Sequence, residues 1–214
     1  QQVLSLSNPP LELLAGPNQT PELAKFANDE LAAVCGRHPS LFPTFTASMP
    51  ANNIDASLRE AERAIKTLGA RGIQLFTNVN GKPLSSPEFL PLFAYMAEQD
   101  LPIWIHPMRG PQFPDYATEH RSENEIWFTF GWPYETSVAM VRMVLNGLLD
   151  RYPKLKIVTH HLGGMIPYYD GRIGPGLQVL GSRTSDEDYS KILPSLKRPH
   201  LDYLHDFYGD TALF

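Results

Sequence analysis

Short apolar runs alternate with longer amphipathic segments along the chain. The apolar runs have the length of buried parallel strands, and Pro or Gly ends several of them. They predict strands at residues 3–7, 42–48, 72–77, 101–106, 156–161 and 206–210.

The segments between these strands repeat apolar residues at helical spacing. Ile54, Leu58 and Ala61, for example, fall on one helical face. Thr20 followed by Pro21 is typical of an N-cap with Pro at the first helical position. The pattern predicts helices at residues 20–36, 53–68, 86–96 and 133–150.

Strands and helices that alternate at a spacing of roughly 30 residues indicate βαβ units and a parallel sheet. The predicted strands are too few for a closed eight-stranded barrel, so the pattern allows either an open doubly wound sheet or part of a barrel. The Pro- and charge-rich stretches 108–131 and 174–204 are predicted as long loops, which often carry function in such folds. We expect a single domain over residues 1–214.

The charge balance argues against a nucleic-acid-binding protein. Eighteen Lys and Arg residues stand against 23 Asp and Glu residues, which gives a net charge of −5, whereas phosphate binding needs a basic surface. The single cysteine, Cys35, excludes an internal disulfide framework and a Cys-rich zinc module. No apolar run has the roughly 18 residues needed to span a bilayer, and no signal peptide is visible. We therefore expect a cytoplasmic protein that binds neither nucleic acid nor membranes.

Histidines end two successive predicted strands. His106 stands at the edge where parallel α/β proteins place their active sites. Its imidazole is suited to bind a metal or move a proton, and a loop-capping histidine explains the position equally well. His160 and His161 end the next strand. Because neighbouring strand residues face opposite sides, we expect His161 to point inward and His160 to pack against the helix layer.

Other polar residues have weaker support. Asp210, at the end of the last predicted strand, is either a candidate carboxylate ligand or a loop-capping residue. Arg172 lies in a predicted loop and is either a clamp for an anionic substrate or a solvated surface charge. His200 is predicted to be a surface residue, and Cys35 a small buried one. The chain lacks the dinucleotide-binding, Walker, Gly-x-Ser-x-Gly and His-Glu-x-x-His motifs.

Four ordered motifs resemble the amidohydrolase-related family over essentially the whole chain. The motifs are Trp104-Ile105-His106-Pro107, Gly131-Trp132-Pro133-Tyr134-Glu135-Thr136, His161-Leu162-Gly163-Gly164-Met165-Ile166-Pro167 and Gly171-Arg172-Ile173. The branch that they resemble contains aminocarboxymuconate-semialdehyde decarboxylase and the resorcylate-type decarboxylases. The set of motifs is specific to the family and much less specific to one substrate.

The resemblance implies a metal-dependent (β/α)8 TIM barrel that forms a homodimer or homotetramer. The family's strand-five metal ligand corresponds to His106. The histidine before Gly-Gly, an acid/base or activator of metal-bound water in the family, corresponds to His161. Arg172 corresponds to an arginine that reaches the substrate carboxylate across a dimer interface. Asp210 matches the strand-seven motif rather than the family's metal ligand, and the implied cofactor is a divalent metal, zinc, with manganese or magnesium as alternatives.

The family's strand-one His-x-His pair and its Gly-Thr-Asp-Tyr-Pro segment are missing from these residues. We therefore expect strands two to seven of the barrel, without the first strand and the last βα unit. The leading hypothesis is a metal-dependent non-oxidative decarboxylase of an aromatic or muconate-type carboxylic acid. A hydrolase or hydratase acting on a lactone, amide or enol is the alternative on the same scaffold. An inactive barrel fragment without a complete metal site is the second alternative.

Overall fold

The computed structural model describes residues 1–184 and 186–212. This part of the chain forms two compact units. Unit 1 consists of residues 1–106 and 154–158, and unit 2 of residues 107–153, 159–184 and 186–212. The expectation of a single domain stays a prediction.

The strands are short, and most lie in unit 1. They are β1 (Val3–Leu4), β2 (Thr44–Phe45), β3 (Ala47–Ser48), β4 (Ile73–Phe76), β5 (Asn78–Val79), β6 (Lys82–Pro83), β7 (Pro102–His106), β8 (Lys156–Thr159) and β9 (Tyr208–Gly209). The helices alternate with them along the chain. They are α1 (Leu11–Leu14), α2 (Thr20–Arg37), α3 (Ile54–Lys66), α4 (Leu90–Gln99), α5 (Ile126–Thr129), α6 (Gly131–Leu145), α7 (Leu148–Arg151), α8 (Asp170–Gln178), α9 (Ile192–Ser195) and α10 (His200–Leu204).

A sheet in the order β3-β4-β7-β8 forms the centre of unit 1. Strands β4 and β7 pair in parallel, with Ile73 opposite Ile103 and Leu75 opposite Ile105. None of these four side chains is more than 1% exposed. Gln74, on the opposite face of β4, is 3% exposed, so both faces of β4 are buried, as its mostly apolar sequence predicts. The predicted parallel α/β class is confirmed, and closure into a barrel stays a prediction.

The strands are shorter than the apolar runs that predict them. The predicted strand at 42–48 is divided into β2 and β3 at Thr46, whose N–H donates to the Leu4 carbonyl at 2.8 Å. Strand β8 ends at Thr159 because His161 has a φ of 58°, outside the range of an extended chain. His160 and His161 therefore follow the strand instead of ending it.

Helix α3 buries small and polar side chains rather than the apolar face that its sequence predicts. Ile54 and Leu58 are only half-buried. The small side chains leave room for Asn28 of α2, whose Nδ2 donates to Oε1 of Glu60 at 2.7 Å. The buried residues of α3 are Ala56, Ser57, Glu60, Ala61 and Ala64.

An antiparallel hairpin that the strand pattern does not predict joins β5 and β6. Its turn residues, Asn80 and Gly81, have φ values of 50° and 83°. Asn-Gly is the preferred pair for such a left-handed two-residue turn. The local sequence therefore contains the signal for this hairpin.

Unit 2 contains the helices from α5 to α10. The helix predicted at 133–150 is divided into α6 and α7 at Gly147, whose φ of 68° favours glycine. The stretch 174–204, predicted as a loop, contains the end of α8 and all of α9 and α10. No helix within residues 1–184 and 186–212 combines the length and apolarity needed to cross a bilayer. The buried residues of α6 are Gly131, Thr136, Ala139, Met140, Met143 and Val144.

Candidate functional site

His106 is the last residue of β7, as the sequence predicts. It is 6% exposed, and its ring packs edge-on against Phe76 with centroids 5.7 Å apart. The side-chain nitrogen of Asn8 lies 3.4 Å from Nδ1 of His106. A metal-binding histidine ordinarily directs its second ring N–H to an oxygen, and a flipped Asn8 amide would supply that oxygen. With the amide in that orientation, the surroundings of His106 would suit one ligand of a metal, and this role stays a prediction.

A complete metal shell requires more than His106, because divalent metals in proteins are usually held by three or more protein ligands. Within the described ranges 1–184 and 186–212, no group of three or more His, Cys, Asp or Glu side chains is arranged to hold a metal. The role of His106 as one ligand of such a shell stays a prediction.

His160 and Asp210 form a largely buried pair in unit 2. Nδ1 of His160 lies 2.8 Å from Oδ2 of Asp210, and both side chains are 14% exposed. Burial lowers the pKa of His160 because a buried imidazolium loses hydration; the Asp210 carboxylate opposes this shift, and His161 adds to it. A neutral His160 that donates its Nδ1–H to Asp210 fits this balance.

Asp210 also caps the loop that follows β8. Its Oδ1 accepts from the N–H of Leu162 at 3.4 Å and from the N–H of Ala212 at 3.1 Å. Its own N–H donates to the Thr159 carbonyl at 3.1 Å. These contacts favour the loop-capping interpretation of Asp210 over that of a metal ligand.

His161 is the first residue of this loop with left-handed backbone, and Leu162 continues it with a φ of 56°. Nδ1 of His161 lies 2.9 Å from the Ala212 carbonyl oxygen. Because a carbonyl oxygen only accepts, the proton of this hydrogen bond belongs to Nδ1. The ring therefore directs Nδ1–H to the main chain of residues that follow β9.

The chain turns sharply after His161, and only glycine fits at the turn. Gly164 has φ 64° and ψ −123°, and a Cβ there would lie 2.5 Å from the Pro133 carbonyl oxygen. The next residue, Met165, donates its N–H to Oγ of Ser137 at 2.8 Å. This close approach to α6 gives a physical reason for the Gly-Gly pair in the third motif.

His161 lines a cavity of about 290 Å³ in unit 2. Its ring stacks on Trp132, with centroids 5.4 Å apart and ring planes at 28°. Trp132 is held in turn by its Nε1–H, which donates to the Arg109 carbonyl at 3.0 Å, and by an edge-on contact with Phe128 at 4.7 Å. An aromatic wall of this kind suits a planar ligand. The aromatic side chains that also line the cavity are Phe128, Tyr168 and Tyr169.

Arg172 does not line the cavity of His161. It lies in α8 rather than in the predicted loop, and its side chain is exposed. It borders an adjoining cavity of about 630 Å³ that shares Met165 and Tyr169 with the first. The structure thus brings Arg172 beside the cavity of His161, and its role as a clamp stays a prediction.

Two predictions about single residues are wrong. His200 is 7% exposed rather than a surface residue, because it begins α10, whose Tyr203 and Leu204 are buried as well. Cys35 is half-buried near the end of α2 rather than buried, and its partial burial raises the pKa of the thiol.

Sequence reasoning missed the partners of the His161 ring. Trp132 stands in the second motif, but nothing in that motif indicates a stacked histidine. The acceptor at Ala212 is a main-chain carbonyl, which carries no signal in the residue type. The burial of Glu12 in α1 was missed too.

Comparisons with known proteins agree with the four motifs. A family model described as Amidohydrolase matches residues 10–198. The 2-amino-3-carboxymuconate-6-semialdehyde decarboxylase of Dictyostelium discoideum is 34% identical over 181 residues, which cover 83% of this chain and 48% of the relative. The gamma-resorcylate decarboxylase of Rhizobium radiobacter is 31% identical over 181 residues, with coverages of 80% and 54%. The chain therefore spans about half the length of these curated relatives.

A solved structure supports the same relationship. The 5-carboxyvanillate decarboxylase of Novosphingobium aromaticivorans, in complex with manganese and 4-hydroxy-3-methoxy-5-nitrobenzoic acid, superposes with a TM-score of 0.81 at 29% identity. The match covers 97% of this chain and 57% of that protein.

Proposed function

Because this chain belongs to the amidohydrolase family, we propose that it carries part of the active site of a metal-dependent non-oxidative decarboxylase. The proposed substrate is an aromatic or muconate-type carboxylic acid, the class named by the relatives that it resembles. One observation carries the proposal: the His161 imidazole lines an aromatic cavity that suits a planar ring.

His161 is the residue proposed to move the proton of this reaction. Loss of CO2 breaks the bond between the carboxylate and its neighbouring carbon and leaves the electron pair on that carbon. The carbon must then take up a proton, and imidazole is the side chain best suited to deliver one near neutral pH. The stack of His161 on Trp132 at the wall of the cavity supports this role.

His106 is proposed as one ligand of a divalent metal. When bound, the metal would hold the substrate's carboxylate and a neighbouring oxygen and stabilise negative charge. Zinc is the metal that we propose, with manganese and magnesium as alternatives. The manganese in the Novosphingobium decarboxylase supports a divalent cation at such a site.

Arg172 is proposed to bind a carboxylate of the substrate. Its planar guanidinium forms two parallel hydrogen bonds with a carboxylate, a geometry that Lys cannot reproduce. Its exposed position on α8, next to the cavity of His161, supports this role. We expect Arg172→Lys to raise KM for an acidic substrate more than it lowers kcat.

The proposed function is tested by metal loading and CO2 release. The chain is loaded in parallel with zinc, manganese or magnesium and incubated with gamma-resorcylate and with related hydroxybenzoates and muconates. We expect His161→Ala to abolish CO2 release and to leave the metal content, measured by mass spectrometry, unchanged. We expect His106→Ala to lower the metal content.

His205→Ala is the matched control, because His205 is an exposed histidine of unit 2 whose Nε2 lies 3.1 Å from Oδ1 of Asp170. It should release CO2 as the unchanged chain does. Full turnover in His161→Ala would contradict the assignment of His161. Ring opening of lactones without CO2 release would favour a hydrolase or hydratase, and no turnover with any metal would favour an inactive fragment.

Three further statements are proposals of the same kind. The chain corresponds to strands two to seven of a (β/α)8 barrel, it assembles as a homodimer or homotetramer, and it acts in the cytoplasm. Light scattering coupled to size exclusion tests the assembly, and cell fractionation tests the location.

A further inference from the structure

A single carboxylate connects two segments of unit 2. Oδ2 of Asp210 contacts Nδ1 of His160 at 2.8 Å, while Oδ1 accepts from the N–H of Leu162 and from the N–H of Ala212. Asp210 is 14% exposed at its side chain, so these hydrogen bonds are sheltered from competing water. Together they tie residues 160–162 to residues 210–212.

The same two segments hold the His161 ring. The ring's Nδ1 lies 2.9 Å from the Ala212 carbonyl oxygen, and the N–H of Ala212 is one of the groups that Asp210 binds. Ala212 is therefore held through its N–H, and its C=O, in the following peptide group, accepts from His161. The stack on Trp132 sets the plane of the ring, so the hydrogen bond and the stack together leave the imidazole one orientation.

A carbonyl acceptor at Nδ1 determines the tautomer of a neutral imidazole. The oxygen can only accept, so the ring proton must reside on Nδ1, and the lone pair resides on Nε2. The two ring nitrogens then have different roles, and Nε2 is the atom able to take up a proton.

The backbone at this point requires such support. His161 and Leu162 both have positive φ, a conformation that costs on the order of 1 kcal/mol for a residue other than glycine. The hydrogen bond from the Leu162 N–H to Asp210 offsets part of this conformational cost at one of the two strained residues. Loss of that bond would release the segment that carries His161.

We propose that Asp210 is a positioning residue that, through the Ala212 carbonyl, holds neutral His161 in the tautomer with the proton on Nδ1. The consequence for catalysis rests on the proposed function: Nε2 is then the nitrogen that takes up a proton from solvent and gives it, as the imidazolium, to the substrate carbon after CO2 has left. Asp210 itself touches neither substrate nor metal in this arrangement.

The test is a measurement of ring ¹⁵N chemical shifts in the folded chain at about pH 8.5, where an imidazole of ordinary pKa is neutral. The His161 signals are identified from their loss in His161→Gln. We expect a protonated Nδ1 in the unchanged chain, as the contact with Ala212 requires. A His161 ring protonated at Nε2 instead overturns the proposal without any Asp210 variant, so a variant that fails to fold does not remove the test.

Two substitutions separate the hydrogen bonds of Asp210 from its charge. Asp210→Asn keeps an oxygen that accepts from Leu162 and Ala212, while its NH2 replaces Oδ2 and requires Nδ1 of His160 to accept instead of donate. It should keep the Nδ1–H tautomer of His161. Asp210→Ala loses the oxygen that accepts from both N–H groups, and the His161 shifts should move to those of a ring that exchanges its proton between the two nitrogens. Asp170→Ala, which removes the carboxylate beside the exposed His205, is the control and should leave His161 unchanged.

The remaining outcomes are equally informative. Unchanged His161 shifts in Asp210→Ala would overturn the role of Asp210. Equal loss of the tautomer in Asp210→Asn and Asp210→Ala would overturn the hydrogen-bonded clamp in favour of the charge. Because the shifts are read without substrate or metal, a chain without decarboxylase activity can still confirm the positioning, and an active chain can still contradict it.

Discussion

Glu12 is a buried carboxyl group with an unsatisfied oxygen. It lies between leucines in α1, is 7% exposed, and its Oε1 has no hydrogen-bond partner among the described residues. Burial raises the pKa of Glu12 from 4.5 to about 7, because the ionised form loses more hydration than the neutral form. The folded chain therefore binds this proton more tightly than the unfolded chain does.

We expect the contribution of Glu12 to stability to fall as the pH rises from 4.5 towards 7, because the folded state must release a proton that the unfolded state has already lost. Above that range the loss is complete, and it amounts to about 3 kcal/mol of unfolding free energy. Glu12→Gln is uncharged at every pH. Relative to the unchanged chain, its unfolding free energy should therefore rise by that amount between about pH 4 and about pH 8, as measured by urea denaturation.

The matched control for this measurement is Glu22→Gln, at an exposed carboxylate of α2. Its stability relative to the unchanged chain should vary much less over the same pH range. A Glu12→Gln difference that is the same at both pH values would show that Glu12 ionises normally in the folded chain.

Single residues could be predicted where their position depends on neighbours in sequence. His106 ends its strand because the apolar run ends there, and the positions of the run are visible in the sequence. The burial of Glu12 and of His200 depends on elements distant in sequence, and no local pattern reports it. The tautomer of His161 depends on a main-chain oxygen beyond β9. No pattern of residue types indicates such a contact.

At the scale of elements, one buried amide joins α2, β3 and α3. Nδ2 of Asn28 donates to the Ser48 carbonyl at 3.0 Å and to Oε1 of Glu60 at 2.7 Å, and its Oδ1 accepts from the Ser48 N–H at 2.8 Å. Arg63 donates to both oxygens of Glu60 at 2.8 Å, and hydrogen bonding to Glu60 raises the pKa of Arg63. The Asn28 amide thus occupies the space beside the small side chains of α3 and forms hydrogen bonds with the polar groups there.

We expect Asn28→Ala to lower the unfolding free energy by about 2–4 kcal/mol, because it leaves three buried partner groups without one of their hydrogen bonds. Urea denaturation followed by far-UV circular dichroism measures the change. Asn18→Ala, at an exposed asparagine before α2, should change the stability by less than about 0.5 kcal/mol. Equal effects of the two substitutions would contradict a structural role for the network.

The existence of most elements could be predicted, and their ends could not. The sequence predicts a helix at 20–36, where α2 runs from Thr20 to Arg37, yet Thr20 is the first helical residue rather than the cap. Its hydroxyl instead donates to Oδ1 of Asn52 at 2.6 Å, a partner far along the chain. The division of the last predicted helix and the β5–β6 hairpin follow from glycines with positive φ, Gly147 and Gly81. Both signals are local and present in the sequence.

At the scale of the whole molecule, the fold class follows from the alternation of elements. The mostly apolar runs predict buried parallel strands, and the parallel pairing and burial of β4 and β7 confirm it. The four motifs predict the family, which the match over residues 10–198 confirms. The closure of a barrel cannot be derived in this way, because it depends on how the ends of a sheet meet rather than on any one strand.

Some segments of the described chain are much more buried than others, and rates of amide hydrogen exchange should differ accordingly. Strands β4 and β7 carry side chains that are almost fully buried, whereas most side chains of residues 112–121 are exposed. We expect amides in β4 and β7 to exchange at least about 100-fold more slowly than those of residues 112–121. Exchange followed by mass spectrometry resolves the two segments. Equal exchange would contradict the burial of the sheet.

The half-buried thiol near the end of α2 makes the chain suitable for single-site labelling. Cys35 is its one cysteine, so a maleimide dye or a nitroxide attaches at one position without any engineering. Thiolate is the reactive form, and partial burial raises the pKa of Cys35, which slows the reaction while the helix is intact. A label at Cys35 therefore reports on the end of α2 in a chain without any substitution.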